Sequence, residues 1–225
     1  MKKLVVGDIH ACFDEFMELI KVAGITDEDE IYPLGDIVDR GPESKKTLDW
    51  CRRHPNVHPV RGNHERKHIR GVDDPTFKLA RSQTEAKKEF TEAEYKDAVN
   101  YMRTLPLYIE LPEAMLVHGM WEPGVHVKAQ KEEVLVGTIR GSKDLERKLG
   151  GPQWYDVYDG LKPIIVGHLV YNKGTLTGTP LIREGRVYAI DTAACHGFRL
   201  TGVVLPGFEI VSVPTKKDYW SNKKG

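Results

Sequence analysis

The chain has 225 residues, of which 40% are hydrophobic and 29% charged, with 33 Lys and Arg balanced by 33 Asp and Glu. That length and apolar mass suit one α/β domain, and the charge balance excludes a broad electrostatic preference for nucleic acid or an anionic membrane. No run approaches membrane-spanning length, and three dispersed cysteines, Cys12, Cys51 and Cys195, offer neither a disulfide framework nor a CxxC zinc pattern, which predicts a reducing, cytoplasmic setting.

Leu4 to Val6 is a short β-branched run closed by Gly7 and reads as a first buried strand. Asp8 and His10 follow at i, i+2, a spacing that turns both side chains to one side if the chain stays extended. A helix carrying Phe13, Phe16, Met17 and Ile20 on one face ends near Gly24. Ile31 to Leu34 is a second strand, delivering Gly35-Asp36-Ile37-Val38-Asp39-Arg40-Gly41-Pro42. A helix over about 43–53 is stopped by Pro55. Val57 to Val60 is a third strand, imperfect because Pro59 lacks a donor, and it delivers Arg61-Gly62-Asn63-His64-Glu65. Three alternations of strand and helix predict mostly parallel pairing.

Residues 66–104 break this rhythm: the stretch is charged and helix-permissive, and it reads as a helical insertion over one side of the sheet. Its mixed charges read first as a solvated face, and second as a patch for an anionic substrate. Strands are expected at Leu107 to Leu111, Ala114 to Val117 and Ile164 to Val166, and short helices at Glu132 to Val136 and Asp144 to Leu149. Beyond Leu181 the pattern is of hairpins, turning at Glu184-Gly185 and Pro206-Gly207. One domain over 1–215 and an unstructured polar tail over 216–225 are expected.

Five strand-end loops carry Asp, Asn or His beside a glycine: Gly7-Asp8-Ile9-His10, the Asp36 loop, Gly62-Asn63, His118-Gly119 and Gly167-His168. Open α/β sheets place ligands at such ends. Any one of these residues alone reads as structural. Together, Asp8, His10, Asp36, Asn63, His118 and His168 are an oxygen- and nitrogen-rich set without sulfur, suited to Mn, Fe or Zn. Six such groups exceed the needs of one ion with an open position; with one bridging carboxylate they suit two ions about 3.5–4 Å apart.

The order GDIH, GDIVDRG, RGNHE, HG, GH resembles the calcineurin-like metallophosphoesterases, and GDxVDRG with RGNHE resembles their phosphoprotein phosphatase branch. The likeness spans about residues 4–215 and extends to small bacterial and phage-type serine/threonine phosphatases and dinucleoside tetraphosphatases. It implies a four-layer αββα sandwich of two mixed sheets flanked by helices. It also implies two divalent ions, manganese first with iron or zinc as alternatives, and hydrolysis of phosphate monoesters by a metal-bridging hydroxide. Asp8 and His10 then match ligands of the first ion, Asp36 the bridge, and Asn63, His118 and His168 ligands of the second. His64 matches a general acid and Asp39 the carboxylate that orients it. Arg40 and Arg140 match phosphate-binding arginines. Arg61 reads as a structural salt-bridge residue. Ala11 and Met120 stand where the family commonly has glycine, which bears on substrate fit more than on reaction type.

The favoured reading is a serine/threonine protein phosphatase acting on phosphorylated protein. The alternative is a bis(5'-nucleosyl)-tetraphosphatase or other nucleotide phosphohydrolase on the same site, and a minor one is a non-catalytic scaffold. Motifs cannot separate the first two, because specificity lies in variable loops. Trp121, Trp154 and Tyr155 would favour a nucleobase if they line a deep slot; otherwise they pack beneath a long loop. The sequence leaves the oligomeric state open.

Overall fold

Leu4 and Val6 turn to one face of the first strand and Val5 to the other, and both faces are buried. That strand, β1 (Lys3–Val6), therefore lies inside a layered structure. The computed structural model describes residues 1–170 and 178–221. β1 pairs in parallel with β2 (Glu30–Pro33) and antiparallel with β8 (Arg199–Leu205), which pairs with β9 (Glu209–Pro214), giving the order β2-β1-β8-β9. A second sheet is built from β3 (Tyr108–Glu110), β4 (Met115–Val117), β5 (Ile164–Val166), β6 (Leu181–Arg183) and β7 (Val187–Ala189). Its order is β3-β4-β5-β7-β6, with β4, β5 and β7 parallel.

Three apolar clusters fill the spaces between layers. Val5, Leu34 and Val203 meet Leu116, Ile165 and Tyr188 between the two sheets. Leu4, Val6 and Leu200 pack outward against α1 (Phe13–Val22), α2 (Ser44–Arg53) and α5 (Glu92–Thr104) through Phe16, Leu48, Val99 and Met102. Val117, Ile164 and Val166 pack against α6 (Glu132–Leu135) and α7 (Ile139–Leu149) through Val134 and Leu145. This is the expected αββα sandwich. The β1, β2, β4 and β5 strands all release their chain at the same edge, into Asp8, Asp36, His118 and His168.

Four details differ from expectation. Val57 to Val60 runs beside β2, with His58 N–H donating to Ile31 and Val60 N–H to Pro33, but it makes only an isolated bridge because Pro59 has no donor. The stretch expected as one insertion is three helices, and the first, α3 (Asn63–Asp73), already begins at Asn63. α4 (Arg81–Lys87) and α5 follow, and α5 contributes Tyr95, Ala98 and Val99 to the core. α7 starts at Ile139, five residues before the expected helix. The start of the expected tail is also packed: Tyr219 is buried with its hydroxyl donating to Glu15 at 2.8 Å. Residues 222–225 lie outside the described residues.

Candidate active site

The site is held by backbone geometry that most side chains avoid. His10, Ala11, Asp36, Asp39, Arg40 and His168 all have φ between 46° and 76°. Non-glycine residues seldom occupy this left-handed region, and a concentration of them marks a functional surface. The extended Asp8–His10 geometry is therefore replaced by a turn at His10, which brings its ring beside Asp36 by folding back. Close approach is secured at two glycines. A Cβ on Gly62 would lie 2.3 Å from Asp36 Oδ1, and one on Gly167 would lie 2.2 Å from Asp8 Oδ1.

Two of the imidazoles are oriented by a backbone carbonyl behind them. His118 Nδ1 donates to the Leu34 carbonyl at 2.7 Å, so its Nε2 lone pair faces inward, 3.0 Å from Asn63 Oδ1 and 3.4 Å from Asp36 Oδ1. His10 Nδ1 donates to the Val38 carbonyl at 3.1 Å, and its Nε2 accepts from Arg40 at 2.8 Å. His168 Nδ1 lies 2.9 Å from Asn63 Oδ1, while its backbone N–H donates to Asp8 Oδ1 at 2.8 Å. Lone pairs from imidazole, amide oxygen and carboxylate thus converge on a small, buried volume. That arrangement is repulsive without positive charge and fits a cation well.

Two groups satisfy the spacing for an ion: His10, Asp36 and His64, and Asp36, His118 and His168, each with ligand atoms within 4.8 Å of one another. Asp36 belongs to both. Asp8 stands next to the first group, its Oδ2 3.9 Å from His10 Nε2. The structure therefore brings together all six residues expected as ligands, with His64 close enough to be a seventh donor.

Electrostatics separates the two aspartates. Burial raises the Asp36 carboxyl, but the His118, His64 and His10 rings outweigh it and hold Asp36 well below the carboxylate range. Burial, with Asp191 and Asp36 nearby, pushes Asp8 well above it. Burial lowers His10 and His118, each against the pull of Asp36, and brings His168 down to about 3, which keeps the His168 lone pair available to ligate.

His64 sits on the first turn of α3 with Nδ1 2.5 Å from Asp39 Oδ2. Its Nε2 is buried and has no hydrogen-bond partner among the described residues. Burial alone would raise Asp39, yet hydrogen bonds from His64 and His68 dominate and hold its carboxyl well below the ordinary range. His68 had no expected role. Its Nε2 is 2.9 Å from Asp39 Oδ1 and its Nδ1 is 2.9 Å from the Tyr95 hydroxyl. Gln83, on α4, also donates to Asp39. The i, i+4 spacing of His64 and His68 was the available signal for the first of these; nothing in the sequence marks Gln83.

Glu65 was also missed as a functional support. Fully buried, it accepts from the backbone N–H groups of Asp36, Ile37 and Gly62, each at 2.9 Å. Burial and the Asp36 charge push its carboxyl up to about 8, while the backbone donors pull the other way. Arg61 donates to the carbonyls of Arg103 at 2.6 Å and Leu105 at 3.0 Å, with Glu132 farther at 3.7 Å. It is structural, as expected, but through backbone acceptors more than a salt bridge. All three cysteines are free and buried, and burial raises each thiol, which leaves them no nucleophilic part.

A groove of about 640 Å³ opens from Asn63 and His168. Arg66, Lys67, Arg70, Arg140 and Lys143 line it, against Glu133 and Glu146. Arg140 is at its rim with a side chain 84% exposed, 3.7 Å from Asp144, so it is not part of the buried cluster. Trp121 and Trp154 are 6% and 4% exposed and belong to the core outside the second sheet; neither lines the groove, and Trp154 borders only a cavity of about 40 Å³, too small for a nucleobase.

The family model described as calcineurin-like phosphoesterase matches residues 1–179. The chain belongs to the calcineurin-like phosphoesterases. Among similar proteins of this family is the bis(5'-nucleosyl)-tetraphosphatase PrpE (asymmetrical) of Bacillus cereus, 31% identical over 258 aligned positions that cover 99% of this chain and 98% of that one. The enzyme of the same name from Anoxybacillus flavithermus is also 31% identical, covering 97% and 96%. Among solved structures, a candidate diadenosine tetraphosphatase superposes with a TM-score of 0.75 at 24% identity, covering 95% of this chain and 93% of that one. A serine/threonine phosphatase from Saccharomyces cerevisiae superposes at 0.64 with 16% identity, covering 96% and 79%. These two likenesses carry the fold alone. The phosphoesterase chain is thus a metal-dependent hydrolase by family. No helix among the described residues is long and apolar enough to cross a membrane.

Proposed function

We propose that this phosphoesterase cleaves dinucleoside tetraphosphates unevenly, into a nucleoside monophosphate and a nucleoside triphosphate. The observation that carries this reading is the cationic groove opening directly from Asn63 and His168. A phosphoserine peptide offers one phosphate; a tetraphosphate offers a chain of charge that several Lys and Arg side chains can follow. The full-length likeness to two tetraphosphatases supports the same choice. The order of the two sequence readings is therefore reversed, with the protein phosphatase second, resting on its GDxVDRG and RGNHE motifs.

In this reading Asp8, His10 and Asp36 would hold one divalent ion, and Asn63, His118 and His168, with Asp36, would hold another. A sulfur-free set favours manganese, with iron and zinc as competitors. When bound, the ions acidify water and draw charge from phosphate oxygens. Water oxygen adds to phosphorus, and the bridging P–O bond to the triphosphate breaks. Arg40 donates to the phosphate oxygens from its left-handed loop, and Arg140 meets the outgoing phosphates at the rim. Asp39 fixes one proton of His64 on Nδ1, which leaves Nε2 aimed into the site, where it would take up the proton shed by the attacking water and pass it to the leaving oxygen.

The test is product analysis. Manganese-loaded protein should convert diadenosine tetraphosphate to equal amounts of adenosine mono- and triphosphate, and a chelator should stop it. Two diphosphates, or no nucleotide product, would contradict the proposal.

A further inference from the structure

We infer that Phe77, with Arg70 and Lys67, forms the subsite for the nucleoside triphosphate half of the substrate, with the base stacked at Phe77. The inference rests on the tetraphosphatase reading and specifies how that substrate lies. α3 starts at Asn63 in the cluster and runs outward. Asn63, Lys67 and Arg70 fall at i, i+4 and i+7, on one face of the helix. At the helical rise, Lys67 is about 6 Å and Arg70 about 10 Å along the axis from Asn63. All three line the groove, as does Phe77. The groove therefore presents a cation at intervals and then an aromatic ring, the order met along a phosphate chain that ends in a nucleoside.

The ring is held in place by the turn after α3. Asp74 Oδ1 accepts from the Thr76 N–H at 3.0 Å and the Thr76 hydroxyl at 2.6 Å, and Phe77 N–H donates to the Asp74 carbonyl at 3.0 Å. Leu79 then returns against the helix so closely that a Cβ on Gly71 would lie 2.6 Å from it. The Arg70 guanidinium lies 4.4 Å from the Phe77 ring centre and 3.6 Å from Asp74. An aromatic ring beside a planar guanidinium is a stacking surface that any base can use. Arg66, by contrast, is engaged by Glu132 at 3.2 Å, whereas Lys67 makes no ion pair among the described residues and is free to meet phosphate.

The test compares Phe77→Ala and Phe77→Trp with the wild type. The ratio of kcat/KM for diadenosine tetraphosphate to that for p-nitrophenyl phosphate should fall about 10-fold in Phe77→Ala, through KM, because a stacked base is lost. Phe77→Trp should keep or raise the ratio. Calorimetric titration of chelator-treated protein with adenosine triphosphate should show the same weakening and the same rescue. An unchanged ratio with unchanged triphosphate binding in Phe77→Ala would overturn the subsite. If wild-type protein cleaves the aryl phosphate but not the tetraphosphate, the parent reading fails, and the triphosphate titration then decides the subsite by itself.

Discussion

The buried cluster and the groove beside it are built by opposite means. In the cluster, His118, His10 and Asp8 are each held by a backbone group from another part of the chain: the Leu34 carbonyl, the Val38 carbonyl and the His168 N–H. The groove is lined by long side chains, Arg140 84% exposed among them. Fixed dipoles in a water-poor interior suit chemistry, where misplacement is costly. Exposed cations suit recognition of extended charge, where each contact counts for little and the sum decides. Substitutions in the two regions should therefore differ in kind as well as size.

The largest effect is expected at His64. His64→Asn should lower kcat on an alkyl phosphate such as a phosphoserine peptide by about 10²–10⁴-fold, the usual worth of a general acid. On the tetraphosphate the loss should be smaller, because a polyphosphate leaves more readily than an alkoxide and needs less help from a proton. Steady-state kinetics on both substrates checks this; equal losses would remove the proton-carrying role. Glu65→Ala comes next. It strands the N–H groups beneath the Asp36 loop, and urea denaturation should show a cost of about 3 kcal/mol. Glu65→Gln, which keeps an acceptor, should cost less. Trp154→Ala should lose a similar amount, about 3–5 kcal/mol, through its cavity. Trp154→Phe should leave the tetraphosphate KM unmoved, whereas a raised KM would return this ring to substrate binding.

A pH test probes the neutral rings. His168 is held at about 3 when folded, against an ordinary value near 6.5. Between those values the unfolded chain binds the extra proton, so its contribution to stability is present above pH 6.5 and lost as pH falls toward 3. Metal-free wild type should thus lose up to about 1.4 kcal/mol per pH unit relative to His168→Asn in that window. Parallel stability curves would show that His168 is not buried as a neutral ring. The smallest effect belongs to the groove rim: Arg140→Ala should change kcat/KM for the tetraphosphate only a few-fold, and more at low than at high salt.

The same contrast decides what the sequence made legible. Asp8, Asp36, Asn63, His118 and His168 each stand beside a glycine at a strand end, and that local signature survives without knowledge of the fold. The four layers followed from the family resemblance; Leu4, Val5 and Val6, apolar without alternation, mark only a strand buried on both faces. His68 and Gln83 were opaque because their role is to meet Asp39 from helices whose packing no short pattern encodes. Glu65 sits within a recognised motif, yet its work on three backbone donors is visible only once the Asp36 loop folds over it. The groove was opaque for another reason. Lys67 and Arg70 look like any solvated helix face until α3 is seen to start at the cluster. Trp121 and Trp154 looked more informative than they are, since a large ring near a long loop is equally suited to packing.

The central claim is that the cluster supplies the chemistry and the groove chooses the tetraphosphate. One competition measures it: diadenosine tetraphosphate and a phosphoserine peptide in the same tube, at equal concentration, with manganese-loaded protein. The ratio of initial rates is the ratio of kcat/KM values. The account predicts at least about 10-fold preference for the tetraphosphate, the worth of roughly one good contact beyond the shared phosphate. Faster release of phosphate from the peptide would contradict it and restore the protein phosphatase reading.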